Sequence, residues 1–244
     1  MKKILTLLLV VTAASVTAQT KTSKSIRVKP GQTLNMRFEY PMVKVVSWDK
    51  NEILIETEVS INGGESDEAF ELIVSETGNS ISVRDEIKGL KNLPQRVTVQ
   101  IDGQKMTFRN KAEWNKYREE HGASAKWVNT GVDMDIEVSV KVPRNMDTRI
   151  LSIYGLVEVR DFTAPLTVEA TYGGVDVAFS ETNLGELVAE TNYGNIYSNL
   201  DFKPDQKNSR EEDFHMYVSA TLGKGPRCKL ESQYGNVYLR KAAK

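Results

Sequence analysis

Alternation of apolar and polar residues, rather than helical periodicity, runs through most of this chain. Leu34, Met36 and Phe38 alternate ahead of Tyr40, and Val43 and Val45 continue after it. The same frame recurs downstream, where Tyr154, Tyr172, Tyr193 and Tyr234 are each followed by glycine. Six and four residues before the last three stand Leu166 and Val168, Leu187 and Ala189, and Cys228 and Leu230. Three and five residues after the four tyrosines stand Val157 and Val159, Val175 and Val177, Ile196 and Ser198, and Val237 and Leu239. Period-two alternation on both sides of a corner predicts strand, tight turn, strand in each copy. Glycine is expected at the corner for a backbone conformation that a side chain would forbid. Pro41 takes its place in the first copy, and "FHMYVSATLGKGP" fits the frame with Met216, Val218 and Ala220 ahead of Leu222-Gly223.

Tyr154 and Tyr172 are 18 residues apart, and Tyr172 and Tyr193 are 21 apart. A period near 20 predicts a solenoid whose coils lie about 4.8 Å from one another, so that equivalent positions form ladders. The expected fold is therefore all-β, one domain over residues 19–244. "VVSWDKNEILIETEV", "VSVKVPRNMDTRILSIYGLVEVRDF" and "GKGPRCKLESQYGNVYLRK" resemble the bacterial putative-adhesin family, the auto-transporter adhesin-like exported proteins of Bacteroidetes. The resemblance covers roughly residues 26–84 and 131–241. It implies a single-stranded right-handed parallel β-helix, an exported protein, and no catalytic residues.

The pattern breaks over about residues 85–130. "VTVQIDGQKMTF" reads as a hairpin turning at Asp102-Gly103. "NKAEWNKYREEHG" reads as a short helix with Asn110 as N-cap, Glu113 three residues on, and Gly122 as its stop. Trp114, Tyr117 and His121 share one face of it. Docking of that face on the flank of the solenoid is the plainer reading. Exposed beside Lys116 and Arg118, the same face would be an interaction hot spot.

Composition adds a compartment. "MKKILTLLLVVTAASVTA" has two lysines, an apolar run from Ile4 to Val11 and a small-residue end, which predicts a signal peptide cut after Ala18. Gln19 follows the cut instead of a lipid-bearing cysteine, and no stretch reaches the roughly 20 apolar residues of a membrane span. Neither a lipid anchor nor a span is expected. The formal charge is −1 for the whole chain, or −3 without Lys2 and Lys3. The insertion carries nine Lys and Arg against six Asp and Glu, so the rest is acidic, and no nucleic-acid partner is expected. Cys228 is the only cysteine, which excludes an internal disulfide.

Candidate chemistry is sparse. The tyrosine row Tyr154, Tyr172, Tyr193 and Tyr234 is read first as ring packing between coils and second as a surface for stacking sugars. Glu169, Glu190 and Glu231 stand three residues before their tyrosines on the outward parity, and like charges that close demand a cation or a basic neighbour. No basic partner is evident beside them in the repeat. Asp133, Asp135 and Glu137 read as a solvated face. His121 and His215 lack partners at zinc spacing, so neither metal nor cofactor is expected. Cys228, on the inward parity, reads as core rather than nucleophile. "TLGKGPRCK" lacks phosphate-loop spacing.

The chain is thus expected to be an exported, periplasmic or surface-located, non-catalytic binding or scaffold protein of the cell envelope. Its partner would be an envelope or extracellular protein or a glycan. A polysaccharide-active β-helix enzyme and a periplasmic partner of an envelope-stress system are the alternatives. The last strand, Asn236 to Arg240, is expected to close the stack as an open edge, which would allow edge-to-edge dimerisation.

Overall fold

The computed structural model describes residues 19–180 and 184–242; the expected signal peptide, residues 1–18, lies outside them. Six strands precede the insertion: β1 (Thr20–Arg27), β2 (Thr33–Phe38), β3 (Met42–Trp48), β4 (Glu52–Ile61), β5 (Phe70–Thr77) and β6 (Ser80–Ile87). The insertion folds as β7 (Arg96–Ile101), β8 (Gln104–Phe108), α1 (Lys111–His121) and β9 (Trp127–Gly131). The long β10 (Met134–Pro143) follows, then β11 (Thr148–Ser152), β12 (Val157–Arg160), β13 (Leu166–Ala170) and β14 (Val175–Phe179). The chain finishes with β15 (Glu186–Thr191), β16 (Ile196–Ser198), β17 (Arg210–Glu212), β18 (His215–Thr221), β19 (Arg227–Ser232) and β20 (Val237–Lys241).

Two mixed sheets enclose the main core. The eight-stranded sheet runs β1-β4-β10-β3-β12-β14-β20-β16, and the nine-stranded sheet runs β17-β18-β15-β19-β13-β11-β2-β6-β5. Each tyrosine copy gives its first strand to the nine-stranded sheet and its second to the other. Alternation then does the sorting: in β3 and β4 every second residue is buried, and Val43, Val45, Ile53 and Ile55 join one cluster with Phe38, Ile150, Val168, Val175, Leu230 and Leu239, while Val59 and Ile61 at the end of β4 form a smaller one with Ala69 and Ile136. Burial of that apolar surface, about 25 cal/mol per Å², is the dominant favourable contribution to folding.

This architecture overturns the single-stranded parallel β-helix. Neighbouring copies do pair in parallel, as in β11 with β13 and β12 with β14. However, β1 with β4, β4 with β10, β5 with β6, β15 with β18 and β18 with β17 pair antiparallel, which no simple coil makes. "FHMYVSATLGKGP" is not a further copy, because β18 runs antiparallel to β15. Nor do the copies stack in chain order: β19 and β20, the last to be made, lie between β13/β14 and β15/β16. β20 is therefore an interior strand, and the open edge expected at Asn236–Arg240 does not exist. Period-two alternation states which face is buried; it is silent on which strand comes next and in which direction.

The insertion carries its own small core. β7 and β8 form the expected hairpin, with Asp102 at φ 49° and Gly103 at φ 82° in a left-handed two-residue turn, and β9 adds a third strand that the pattern did not reveal. α1 begins and ends as expected. The Asn110 side chain accepts the Glu113 N–H at 3.0 Å, the Glu113 carboxylate accepts the Arg109 N–H at 2.7 Å, and Gly122 closes the helix at φ 60°. Its apolar face does not reach the main sheets. Trp114 packs with Val97, Val99 and Phe108 of its own hairpin.

Candidate functional site

The tyrosine corners build one linear feature along the edge where the two sheets meet. In space the order is Tyr40, Tyr154, Tyr172, Tyr234, Tyr193 and finally Phe214, with ring centroids 5.5, 5.2, 5.1, 5.1 and 5.9 Å apart. The five tyrosine planes lie within 8–15° of their neighbours. Backbone ladders set that spacing: Tyr154 N–H donates to Glu39 O, Tyr172 N–H to Ile153 O, Tyr234 N–H to Thr171 O and Tyr193 N–H to Gln233 O, at 2.7–3.0 Å. Exposure is high for aromatic rings, from 45% at Tyr234 to 75% at Phe214. A second stack, Tyr197 on Tyr238 at 5.3 Å with Arg240 over the latter, lies on the outer face of the eight-stranded sheet.

Ring geometry limits what the row can do. Tyr154, Tyr172 and Tyr234 have a ring against each face, so a sugar cannot stack on them. They present edges and hydroxyls. Only the ends offer a ring face: Tyr40, which lines a cavity of about 200 Å³ with Arg37, Arg84 and Asp85, and Phe214.

Two features of the corners were not foreseen. The first is why glycine is required. No corner glycine of the tyrosine copies has positive φ. A Cβ on Gly173 would instead lie 2.6 Å from the Gly155 carbonyl carbon, and one on Gly194 would lie 2.6 Å from that of Gly235. Close approach of successive corners, not a forbidden backbone conformation, excludes a side chain. The second is a buried hydroxyl two residues before the tyrosine. Ser232 donates to Gly173 O at 2.8 Å and accepts from Gly235 N–H at 2.9 Å; Thr191 donates to Gly235 O at 2.8 Å and accepts from Gly194 N–H at 3.1 Å. Both residues are fully buried. Thus each of these hydroxyls turns its own corner and grips the next one.

The glutamate row is compensated by side chains that the repeat frame concealed. Glu169, Glu231 and Glu190 are adjacent in register. Arg149, from the neighbouring strand, meets Glu169 at 2.8 Å; Lys229 meets Glu231 at 2.9 Å, and His215 meets Glu190 at 3.0 Å. The Glu231 hydrogen bond, outweighing partial desolvation, raises the Lys229 pKa. Asp133 pairs with Lys105 and Glu137 with Lys44. Among the described residues no group of three or more His, Cys, Asp and Glu is arranged to hold a metal ion.

The remaining candidates separate. Trp114 is buried, 5% exposed; Tyr117 covers Phe108 and is capped by the His121 ring at 4.2 Å, and Arg118 is exposed on the helix. This helix packs chiefly on β7 and β8, in a cluster that contains none of the row's tyrosines. Cys228 is a free, buried thiol, and burial pushes its pKa up. Asp85, 8% exposed, caps the first corner by accepting the Glu39 N–H at 2.8 Å; burial raises its pKa, and the hydrogen bonds from Glu39 and Tyr40 oppose the shift.

The class is therefore an all-β protein of two mixed sheets with an ordered aromatic edge. Its fold is shared with a solved structure from Clostridium sporogenes, described as a "putative cell adhesion protein", at 11% identity and a TM-score of 0.50, covering 91% of this chain and 99% of that one. No family model matches the chain, and no curated protein matches it. No helix among the described residues is long and apolar enough to cross a membrane.

Proposed function

We propose that this chain is an exported, non-catalytic binding or scaffold protein of the cell envelope, adhesin-like in the sense of the family it resembles, and that the aromatic row is its partner-facing surface. The observation that carries this reading is the row itself: six rings in one line, the five tyrosines held in register by backbone hydrogen bonds, yet 45–75% exposed at Tyr154, Tyr172, Tyr193, Tyr234 and Phe214. Tyrosine offers a large amphipathic contact with little side-chain entropy to lose, and a pre-ordered row lowers the cost of binding further. The description of the fold neighbour is in keeping with this reading.

Protease treatment of intact cells, with lysed cells as control, tests the compartment. Degradation on intact cells is expected for a surface adhesin; survival until lysis makes the protein a periplasmic scaffold instead. Immobilised purified polysaccharides and extracellular-matrix proteins then test the surface. Binding should fall when Tyr154 and Tyr234 are both changed to Ala, and equal binding by that variant would remove the row from the interface.

A further inference from the structure

The position of the last two strands carries a consequence for self-association. β19 and β20 fill a slot between the β13/β14 copy and the β15/β16 copy, with parallel partners on both sides in both sheets. The slot reads them at the corner as well as along the strands. Gln233 N–H donates to Ala170 O, Tyr234 N–H to Thr171 O, Val175 N–H to Asn236 O and Val237 N–H to Asn195 O, all at 2.9 Å. Thr191 grips Gly235 O from one side, and Ser232 reaches Gly173 O on the other. Arg240 meets Asp176 at 2.8 Å.

All of these contacts are made to residues 166–199. None is made to the β17–β18 hairpin that leads into the segment, and Cys228 forms no disulfide. Upstream, the segment is joined to the rest of the described fold by the backbone tether Leu222–Pro226, which includes two glycines and crosses over β15. We propose that residues 227–241 are an exchangeable double strand, and that the slot also accepts this segment from a second copy of the chain, linking two molecules. An exchanged dimer keeps every slot contact, because the slot does not sense which copy supplies the strands. Cis filling wins in dilute solution, since a short tether holds its segment at an effective concentration on the order of millimolar. Exchange is therefore set when chains fold together at high local concentration, and it persists because the slot must open to reverse it.

The test uses the whole chain. Full-length protein unfolded in urea is refolded by dilution with excess synthetic peptide of residues 224–244 carrying an N-terminal fluorophore, then run on size exclusion. Because the tethered segment competes at about millimolar effective concentration, a minor fraction of chains is expected to hold the peptide, rising in proportion to peptide concentration, and the captured fraction should survive further dilution. A Gly235→Ala peptide should be captured about ten-fold less or worse, a difference of 1.4 kcal/mol, because its Cβ would sit 2.7 Å from the Gly173 carbonyl carbon. Equal capture of both peptides, or of neither, overturns the proposal. Co-expression of two differently tagged full-length copies, purified without unfolding, gives an independent reading: mixed dimers that do not form when separately purified monomers are mixed support it. Unmixed monomers at every expression level overturn it.

Discussion

Replacing Gly173 by alanine tests the stacking of the corners most directly. An added Cβ would lie 2.6 Å from the Gly155 carbonyl carbon and closer still to its oxygen, and both are backbone atoms. Non-bonded carbons rest at about 3.5–4.0 Å, so the two copies must separate locally by about 1 Å. Three backbone hydrogen bonds cross this junction: Thr171 N–H to Ser152 O at 2.9 Å, Tyr172 N–H to Ile153 O at 2.7 Å and Val157 N–H to Gly174 O at 3.1 Å. A 1 Å shift takes them past bonding distance. At about 1 kcal/mol each, with about 0.5–1.5 kcal/mol for the Tyr154–Tyr172 stack, the substitution should cost about 3–5 kcal/mol. Gly78 is the control: φ is +57° but nothing lies within 4 Å of its Cβ position, so Ala there should cost only about 1–2 kcal/mol of backbone strain. Urea unfolding followed by tryptophan fluorescence gives both values, and the Gly173 variant should move the midpoint by about 1 M or more. A Gly173→Ala cost no larger than that of Gly78→Ala would refute close approach as the reason for glycine at the corner.

Further outcomes follow from the same contacts. Ser232→Ala leaves Gly173 O and Gly235 N–H without the hydroxyl that joins them and should destabilise by about 1–3 kcal/mol, whereas Ser23→Ala on the exposed β1 should be nearly neutral in the same melt. Cys228 should resist a thiol reagent in native protein at pH 8 and react fully in urea, since burial both shields it and raises its pKa; fast native labelling would contradict its placement. Asp85 has a folded-state pKa above its unfolded one, so the folded state takes up the proton first and stability gains as pH falls through that window toward about 4. Wild type should therefore gain on Asp85→Asn between pH 7 and pH 4.5, and a constant difference in urea melts would count against the burial argument. Arg240→Ala should raise hydrogen exchange in β19 and β20 while β11 and β13 keep their protection, because Arg240 joins β20 to Asp176 across the slot; uniform protection loss would show that the ion pair does not act locally.

Much of the fold was legible in the alternation. The two strands of each copy, the tyrosine corners, the hairpin at Asp102-Gly103 and the caps at Asn110 and Gly122 all depend on residues within a few positions of one another, where local sterics and hydrogen bonding decide. What was not legible depends on residues far apart. The Arg149–Glu169 pair spans 20 residues and the Ser232–Gly173 bond spans 59. The serine and threonine ahead of the tyrosines carried a signal all the same: a small hydroxyl residue at Ser152, Thr191 and Ser232, on the buried parity where an apolar side chain is the rule, marks a backbone group that needs a partner. Trp114 was separated from the interface reading only by the hairpin core that its own insertion supplies.

The stacking order itself shows where specificity resides. In the core, the copies are nearly interchangeable: Leu166, Cys228 and Leu187 occupy equivalent places, as do Val175, Val237 and Ile196. Apolar packing alone would accept β13/β14 directly against β15/β16, which is the sequential order that the repeat suggests. The outward faces break that degeneracy. Asp176 is buried, 8% exposed, between Arg160 on β12 at 2.9 Å and Arg240 on β20 at 2.8 Å. With β20 removed and the slot closed, register would bring Tyr197 of β16 to the place of Tyr238 beside Asp176, and the carboxylate would lose one of its two cations. Losing a partner from a buried charge is costly, whereas swapping one apolar strand for another is not. Tyr238 adds to the same preference by stacking on Tyr197 under the Arg240 guanidinium. The repeat thus provides strands that fit anywhere in the sheets, and a few polar contacts on the outer face select the one order in which the last-made strands lie inside.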